Sequence, residues 1–225
     1  RCSPEAEILG TAGGLRHAAA ILGEGDVLVW NADILAEPDV AGLLRHHEAS
    51  GAMASLVVAE PTSGRGTVGL DERGSVARLR SYRRDEELRG VDYVGIAVLG
   101  AELRRALPER GCLVGDLLLP ALERGLCVSS YALGGGFRDT GTLRSYLEAN
   151  LGWLESRGLA SWKHRSAVVA PGVSLEASLV GEGAVVEGSG SLERVVVWPG
   201  ARAVAPLADA VVTPFELVSV PPGSS

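Results

Sequence analysis

Residues 26–33 of the 225-residue chain read Asp-Val-Leu-Val-Trp-Asn-Ala-Asp, a short apolar run that ends in a polar turn. Such a run indicates a buried strand of a parallel sheet, and the polar residues form the loop at its carboxyl end. Ligands of open α/β sheets bind beyond these carboxyl ends, so Asp33 points towards a candidate site. Considered alone, Asp33 fits better as a turn residue that hydrogen-bonds its own backbone.

Strands and helices alternate along the chain on both sides of this stretch. Pro38 begins an amphipathic helix in which Val40, Leu43 and Leu44 recur at helical spacing. Strands that alternate with helices predict a parallel or mixed sheet with helices on both faces. The predicted elements are strands over 26–30, 54–59, 93–99 and 126–132, a hairpin over 67–79, and helices over 15–22, 38–49, 101–107, 114–124 and 143–157.

The sequence changes character near Trp162. From residue 166 to 213 there is no convincing helix, and small residues with glycine recur beside an aliphatic residue about every six positions. This period is typical of a triangular β-solenoid in which each flat face contributes one inward side chain. A small antiparallel β appendage is the alternative, but glycine or Pro-Gly precedes the aliphatic residue each time. The predicted inward positions are Val168, Val173, Leu179, Val185, Val197, Val204 and Val211.

Composition excludes several classes of protein. The net charge is −7 and Lys163 is the only lysine, whereas a nucleic-acid partner needs a basic surface that releases counterions. No apolar run is long enough to span a membrane and no signal peptide opens the chain, so we expect a cytoplasmic protein. Cys2, Cys112 and Cys127 show no C-x-x-C spacing, which predicts ordinary buried thiols in a reducing compartment.

Two further segments could carry chemistry. Asp139 lies in the Gly-rich turn 134–142 (GGGFRDTGT), and Thr142 suits the N-cap of the next helix. Two carboxylates at distant strand ends could hold Mg²⁺, which prefers oxygen ligands and keeps positions for substrate phosphates. Residues 9–15 (LGTAGGL) place glycines at the start of a helix, where the backbone can approach a base or a phosphate closely. Each segment alone is also explained as an ordinary turn.

The remaining charged residues fit structural roles. None of the four histidines has a partner at metal-ligand spacing, so all are predicted to be structural or surface residues. His46 and His47 fall on the exposed face of their predicted helix. The charged loop that follows the hairpin contributes Arg83, Arg84 and Arg89, which are either solvated or placed to clamp a phosphate.

Taken together and in this order, the segments resemble the sugar-1-phosphate nucleotidyltransferases, specifically their mannose-1-phosphate guanylyltransferase-like branch. Residues 8–15 match the family's L-G-T-A-G, and residues 29–33 match its apolar pair followed by N-x-D. Residues 93–96 (YVGI) come next, and residues 137–150 match W-x-D-x-G-T followed by Y-L-x-A-N. The resemblance covers residues 5–157, and many members of the family carry a C-terminal left-handed β-helix.

The resemblance implies an architecture and a reaction. The architecture is a Rossmann-like α/β domain with a mixed, mostly parallel sheet over residues 1–160, followed by a short left-handed parallel β-helix of hexapeptide repeats over 161–225. A homo-oligomer formed through the β-helix is compatible with it. The implied substrates are a nucleoside triphosphate and a sugar 1-phosphate, with GTP and mannose 1-phosphate as the first expectation. The sugar phosphate attacks the α-phosphorus in line, pyrophosphate leaves, and Mg²⁺ neutralises the phosphate charge.

Position by position, the resemblance also assigns roles to residues. Asp33 and Asp139 are implied as the catalytic pair and as the ligands of the metal. Asp116 matches an acid at a helix start and is expected to cap that helix rather than to bind a ligand. The implied nucleotide-binding residues are Gly10, Thr11, Ala12, Gly13 and Gly14, and the implied sugar-binding residues are Asn31, Tyr93 and Gly95.

The sequence departs from the family pattern in two places. The family's opening strand and its G-G-x-G-T-R-L loop have no counterpart, so the sequence is predicted to be N-terminally truncated, inactive alone, and left with an unpaired sheet edge. The lysine of the family's E-K-P segment is missing from residues 79–84, where Arg80 or Arg83 would substitute. A non-catalytic subunit that binds nucleotide sugar is the alternative. An acyltransferase site in the tail is disfavoured because residues 166–213 contain no histidine.

Overall fold

The structure is a computed structural model that describes residues 1–84 and 87–220. Residues 85 and 86 of the predicted charged loop lie outside the described residues. The same holds for 221–225, where the sequence predicts a frayed end. Within the part of the chain that is described, no helix is long and apolar enough to cross a membrane.

The chain folds as two compact units, Arg1–Phe137 and Arg138–Ser225. The first is an α/β unit and the second contains a β-solenoid, so the predicted fold class is confirmed. The division falls earlier than the predicted boundary at residue 160. The reason is that the helix before the solenoid packs on the coils, where Leu147 and Leu154 share a core with Val211.

The first unit matches most of the predicted elements to within a few residues. The predicted helix over 15–22 instead starts at Gly10, because the Gly-rich segment itself forms the first helical turn. A π-helical turn, Leu113–Leu118, runs directly into the fifth helix. In chain order the elements are α1 (Gly10–His17), α2 (Ala19–Leu22), β1 (Val27–Trp30), β2 (Ile34–Ala36), α3 (Val40–Ser50), β3 (Ala54–Ala59), β4 (Val68–Leu70), β5 (Val76–Leu79), β6 (Tyr82–Arg83), β7 (Arg89–Leu99), α4 (Ala101–Arg104), α5 (Leu119–Glu123) and β8 (Val128–Ala132).

One sheet organises this unit, in the order β6-β5-β4-β7-β3-β8, with β1 also paired to β7. β7 is antiparallel to β1 and to β3, while β3 and β8 are parallel. Strands β1, β3 and β8 therefore run in one direction and end at the same side of the sheet. The sheet is mixed as predicted. It has more antiparallel pairing than expected, because β7 lies between β1 and β3.

Helices cover both faces of the sheet, which explains the continuous apolar runs of its central strands. On one face Leu117 packs with Leu56 and Leu99, and all three are at most 2% exposed. On the other face Leu43 of α3 packs with Val57, and both are fully buried. The central strands are thus buried on both sides, as expected for strands of an α/β sheet.

Helix α3 corrects one prediction about the histidines. The N-cap of the helix is Asp39, whose side chain accepts a hydrogen bond from the Gly42 N–H at 2.8 Å. His47 was predicted to be exposed, but it is only 5% exposed, and its Nδ1 lies 2.8 Å from the Ser55 Oγ. It follows Leu43 by four positions and therefore lies on the same inward face of the helix.

The second unit is a stack of short parallel strands after one helix. Val168 pairs with Val185, and Val185 pairs with Arg202, so stacked positions are 17 residues apart, close to three hexapeptides. The last strand is antiparallel to its neighbour and ends the stack. The elements are β9 (Phe137–Asp139), which crosses the boundary between the units, then α6 (Leu143–Ser156), β10 (Trp162–Lys163), β11 (Val168–Val169), β12 (Val173–Glu176), β13 (Leu179–Val180), β14 (Val185–Val197), β15 (Arg202–Val212) and β16 (Leu217–Ser219).

The solenoid is present, but two of the predicted inward positions are wrong. Val168 and Val204 are about 60% exposed, whereas their neighbours in the chain, Val169 and Ala203, pack into the core of the coils. Side chains alternate between the two faces of a strand, so a pair of adjacent aliphatic residues does not fix which one points inward. The handedness of the coils stays a prediction. The predicted positions that are buried are Leu179, Val197 and Val211, and those partly buried are Val173 and Val185.

Candidate functional site

The polar turn after β1 is fixed against β7 by backbone hydrogen bonds. The Asn31 N–H donates to the carbonyl oxygen of Gly95 at 3.1 Å, and the Ile34 N–H donates to that of Asn31 at 3.1 Å. Gly95 has a φ of +80°, and a Cβ there would lie 3.1 Å from the Asn31 Nδ2 and 2.9 Å from the Ile34 Cγ1. A side chain at position 95 would therefore force Ile34 to shift and would crowd Asn31. The structure brings together Asn31 and Gly95, two of the residues predicted to bind sugar.

A cavity of about 510 Å³ opens beside this turn, next to α1 and β1. It is lined by Gly10, Thr11 and Gly14 from α1 and by Asn31 from the turn. Its size is in the range of small-molecule sites, which combine apolar walls with a few polar groups. Two motifs that are separate in the sequence thus share one cavity. Its apolar walls include Ile8, Leu15, Leu22, Leu28 and Trp30.

The Gly-rich segment has a structural role as well as a place at the cavity. The Ala12 N–H donates to the Gly111 carbonyl at 3.0 Å, and the Gly111 N–H donates to the Leu9 carbonyl at 2.8 Å. A Cβ on Gly13 would lie 2.7 Å from the carbonyl oxygen of Glu109. Ala12 and Gly13 are buried in this contact. The predicted nucleotide-binding residues that line the cavity are Gly10, Thr11 and Gly14.

Tyr93 lies in β7, two positions before Gly95. Its backbone N–H donates to the Thr67 Oγ1 at 3.0 Å. Its phenolic Oη is buried and has no hydrogen-bond partner within residues 1–84 and 87–220. Burial raises the pKa of the phenol, and the charge of Cys112 raises it further, so the group keeps its proton. Unpaired buried hydroxyls are uncommon in folded proteins. Its role in sugar binding stays a prediction.

Arg80 reaches the start of the helical segment that ends in α5. Its Nη2 lies 3.7 Å from the Cys112 Sγ. Burial would raise the pKa of the Cys112 thiol, but the N–H groups of Gly115 and Val114 and the guanidinium of Arg80 lower it. Asp116 accepts a hydrogen bond from the Cys112 N–H at 2.6 Å, so its carboxylate stabilises the helix start. It does so from within the first turn, because the N-cap position predicted for Asp116 is occupied by Cys112.

Asp139 lies at the start of the second unit, before α6. Its Oδ1 accepts a hydrogen bond from the Gly141 N–H at 2.8 Å, which forms an Asx turn. Thr142 is the N-cap, as predicted, because its Oγ1 accepts from the Ser145 N–H at 3.1 Å. Asp139 and Asp33 are both exposed. Their joint role as metal ligands stays a prediction.

A hydrogen-bonded network at the other end of the sheet was not foreseen from the sequence. The Ser55 Oγ, which contacts His47, lies 2.7 Å from the Ser129 Oγ, and the His46 Nε2 lies 3.2 Å from the same atom. Ser55 and Ser129 are at the starts of β3 and β8, so this network is separate from the cavity. The spacing of His47 from Leu43 was the only sequence signal of its burial.

The cysteines differ from the prediction. All three are free, but Cys2, Cys112 and Cys127 are exposed rather than buried. Cys112 directly precedes the π-helical turn and Cys127 directly precedes β8, while Cys2 is next to the first residue. Each thiol therefore lies outside the interiors of strands and helices, where side chains enter the core.

Curated proteins are similar to this chain in sequence. No family model matches the chain. The low-salt glycan biosynthesis nucleotidyltransferase Agl11 of Haloferax volcanii is 28% identical over 158 residues, which cover 65% of this chain and 44% of that protein. The mannose-1-phosphate guanylyltransferase of Mycobacterium tuberculosis is 27% identical over 211 residues, 86% of this chain and 58% of that protein. The mannose-1-phosphate guanyltransferase of Schizosaccharomyces pombe is 27% identical over 186 residues, which cover 76% of this chain and 48% of that protein. The chain spans about half the length of the curated relatives that it matches.

Solved structures show the same fold. HddC from Yersinia pseudotuberculosis in complex with GMP-PN has a TM-score of 0.52 and 18% identity, over 64% of this chain and 63% of HddC. A second structure of HddC has a TM-score of 0.51 and 17% identity. At this identity the likeness concerns the fold, and the curated relatives add the likeness in sequence. The chain is therefore similar to the sugar-1-phosphate nucleotidyltransferases, among them mannose-1-phosphate guanylyltransferases, as its motifs predicted.

Proposed function

We propose that the protein transfers a nucleotidyl group to a sugar 1-phosphate, with GTP and mannose 1-phosphate as its substrates. One observation carries the proposal: the cavity of about 510 Å³ joins Gly10, Thr11 and Gly14 to Asn31, which is held against Gly95. The family resemblance assigns these positions to the nucleotide and the sugar. The names of two relatives, at 27% identity each, support the choice of substrates.

The proposed reaction depends on alignment and on charge neutralisation. An oxygen of the sugar 1-phosphate attacks the α-phosphorus, the bond from that phosphorus to the bridging oxygen of the β-phosphate breaks, and pyrophosphate leaves. Such a transfer requires little proton chemistry from the protein. Of the described residues that line the cavity, only Glu5 is charged. The positive charge that the phosphates need must therefore come from outside this lining.

Asp33 and Asp139 are the proposed ligands of Mg²⁺. Among the residues that the structure describes, no group of three or more His, Cys, Asp or Glu side chains could hold a metal. Two carboxylates completed by water and substrate phosphates are the usual environment of Mg²⁺, so the donor chemistry fits. When bound, the ion would neutralise phosphate charge. Arg80 is the proposed substitute for the family's lysine. Its guanidinium lies 3.7 Å from the Sγ of Cys112, and the preceding residue, Gly111, is hydrogen-bonded to Ala12 of α1.

A non-catalytic role is the second candidate, and the lack of a cation in the described cavity lining favours it. A subunit that only binds nucleotide sugar does not have to stabilise the charge of a departing pyrophosphate. Such a protein would bind GDP-mannose and release no pyrophosphate from any pair of substrates.

Pyrophosphate release by the full-length product of the gene tests the proposal. GTP with mannose 1-phosphate and Mg²⁺ is compared with other nucleoside triphosphates and sugar 1-phosphates. We expect Asp33→Ala to lower the rate by at least about 100-fold. Glu72→Ala, an exposed carboxylate on the turn between β4 and β5, is the matched control and should keep the rate. Calorimetric binding of GDP-mannose without any release would favour the second candidate, and neither binding nor release would contradict both.

A cytoplasmic location and a homo-oligomer formed through the solenoid belong to the same proposal. The free cysteines suit a reducing compartment. Phe215 and Leu217, near the last strand of the solenoid, are 94% and 50% exposed and offer apolar surface to a second copy. Sedimentation of the wild type and of a Phe215→Ser variant would test the oligomer.

A further inference from the structure

Trp30 ends β1, and it is the only tryptophan in residues 1–137. Its indole Nε1–H donates to the carbonyl oxygen of Ile34 at 3.0 Å. The turn formed by residues 31–33 lies between these two residues in the chain. The indole hydrogen bond therefore spans the turn, from the last residue of β1 to the first residue of β2. The Ile34 N–H is bonded to the Asn31 carbonyl. The N–H of Ile34 is thus bonded to the first residue of the turn, and its carbonyl to the residue that precedes the turn.

Apolar packing does not explain this bridge. Trp30 is 39% exposed, and Leu28 on the same face of β1 is 37% exposed, so an aliphatic side chain is accommodated equally well on this surface. Unlike an aliphatic side chain, the indole adds an N–H donor that reaches the Ile34 carbonyl. Partly buried tryptophans usually pair this N–H, and here the partner is a carbonyl at the end of the candidate site's turn.

We propose that Trp30 is a positioning residue that holds Asn31 and Asp33 in place through Ile34. Asn31 is independently anchored to Gly95, whereas the indole restrains the Ile34 end of the turn. Without the indole N–H, the Asp33 end of the turn loses a restraint and its carboxylate takes up more directions. The consequence for metal binding rests on the proposed function, but the restraint itself does not.

Three variants separate the donor from the ring. Trp30→Phe keeps an aromatic ring and removes the N–H. Trp30→His places Nε2 at the same position of a five-membered ring as the indole nitrogen, so it restores a donor. Trp153→Phe is the matched control, because Trp153 is 37% exposed and lies in the second unit.

Amide hydrogen exchange of the metal-free full chain measures the restraint directly. We expect the Ile34 amide to exchange about fivefold faster in Trp30→Phe, the change that loss of one ordinary hydrogen bond produces. Exchange in Trp30→His and in Trp153→Phe should stay near the wild-type rate. The Gly100 amide, bonded to the Met53 carbonyl away from the turn, is the internal reference. Equal Ile34 exchange in Trp30→Phe and the wild type would overturn the proposal.

Metal dependence of turnover distinguishes positioning from general stability. We expect the half-saturating Mg²⁺ concentration to rise about fivefold in Trp30→Phe, the same factor as the expected increase in the exchange rate of the Ile34 amide. The melting temperature should stay near that of the wild type, and Trp30→His should recover the metal dependence. Trp153→Phe should keep both the turnover rate and the metal dependence of the wild type. An unchanged metal dependence despite faster exchange would overturn the positioning role. If no substrate pair is turned over, the proposed function fails, and the exchange comparison alone decides whether the indole restrains the turn.

Discussion

The backbone N–H of Ala12 donates to the carbonyl oxygen of Gly111 at 3.0 Å and joins two segments that are far apart in the sequence. The contact fixes the first turn of α1, whose exposed residues line the candidate cavity. Because Ala12 and Gly13 are buried in this contact, the cavity wall depends on backbone packing as much as on side chains.

The packing of α1 leaves no space for a side chain at position 13. In Gly13→Ala the new Cβ would lie 2.7 Å from the Glu109 carbonyl oxygen and 2.9 Å from the Arg110 Cα. Backbone cannot yield as a flexible side chain can, so we expect a loss of about 1–3 kcal/mol in the free energy of unfolding. Urea denaturation measures it. The control is Gly25→Ala, where no atom lies within 4 Å of the added Cβ, and equal stabilities of the two variants would contradict the packing.

Asp92 should make stability depend on acid pH. Its carboxylate accepts hydrogen bonds from the Thr62 N–H at 2.8 Å, the Thr62 hydroxyl at 2.9 Å and the Thr67 N–H at 2.9 Å. Burial alone would raise the pKa of Asp92, but these bonds outweigh it and hold the pKa below 3.8. The stabilisation is therefore complete above pH 3.8 and is lost as pH falls through the folded-state pKa.

We expect Asp92→Asn to destabilise the protein by about 1–3 kcal/mol at pH 6, because the amide cannot accept all of these bonds. It should also flatten the dependence of the urea midpoint on pH below 4. Glu123→Gln, an exposed residue on α5, should keep the wild-type profile. An Asp92→Asn profile as steep as that of the wild type would show that another group titrates there.

His47 should make the stability of the protein depend on pH in a second range, nearer to neutral pH. Its burial lowers its pKa below 6.5, Asp26 opposes this and His46 adds to it. The unfolded chain takes up the proton first as pH falls, so stability is greatest above pH 6.5 and decreases as pH falls towards the folded-state pKa. We expect His47→Gln to reduce this decrease between pH 7 and 5, measured by thermal unfolding. Replacing the exposed His17 by Gln should leave the pH dependence of stability unchanged. An undiminished loss of stability between pH 7 and 5 in His47→Gln would show that His47 does not cause it.

Cys112 should be the most reactive of the three exposed cysteines at neutral pH. Although burial would raise the pKa of its thiol, two backbone N–H groups and Arg80 lower it, and the thiolate is the form that reacts. We expect iodoacetamide to label Cys112 several-fold faster than Cys127 at pH 7, read by peptide mass spectrometry. Arg80→Gln should slow the labelling, while Arg83→Gln should not. Equal rates at the two cysteines would contradict the effect of Arg80.

The sequence predicted local patterns well. The apolar run ending in Asn31 and Asp33 forms β1 and its turn, as predicted. The strand differs from the prediction in its surroundings: Leu28 and Trp30 are exposed, and β1 pairs antiparallel with β7. The hydrogen bond between Asn31 and Gly95 joins two residues that the family resemblance assigned to sugar binding, but the antiparallel pairing of β1 with β7 beside it was not predicted. Thr142 as an N-cap was equally local.

Features that depend on distant partners were not predictable. His47 is buried with its Nδ1 paired to Ser55, which in turn pairs with Ser129, and neither serine shows this in the sequence. Val168 points outward because Val169, its neighbour in the strand, packs against the core of the coils. The bridge from Trp30 to Ile34 needs the actual course of the turn. The assignment of Asp33 and Asp139 to one metal stays a prediction.

Pyrophosphate release by the full-length protein, measured with and without Asp33, tests the central claim most directly. With GTP, mannose 1-phosphate and Mg²⁺, we expect release in the wild type and in Glu72→Ala, and a loss of at least about 100-fold in Asp33→Ala. Failure of the wild type to release pyrophosphate from any nucleoside triphosphate and sugar 1-phosphate would contradict the proposed function. Release that is undiminished in Asp33→Ala would contradict the role of Asp33.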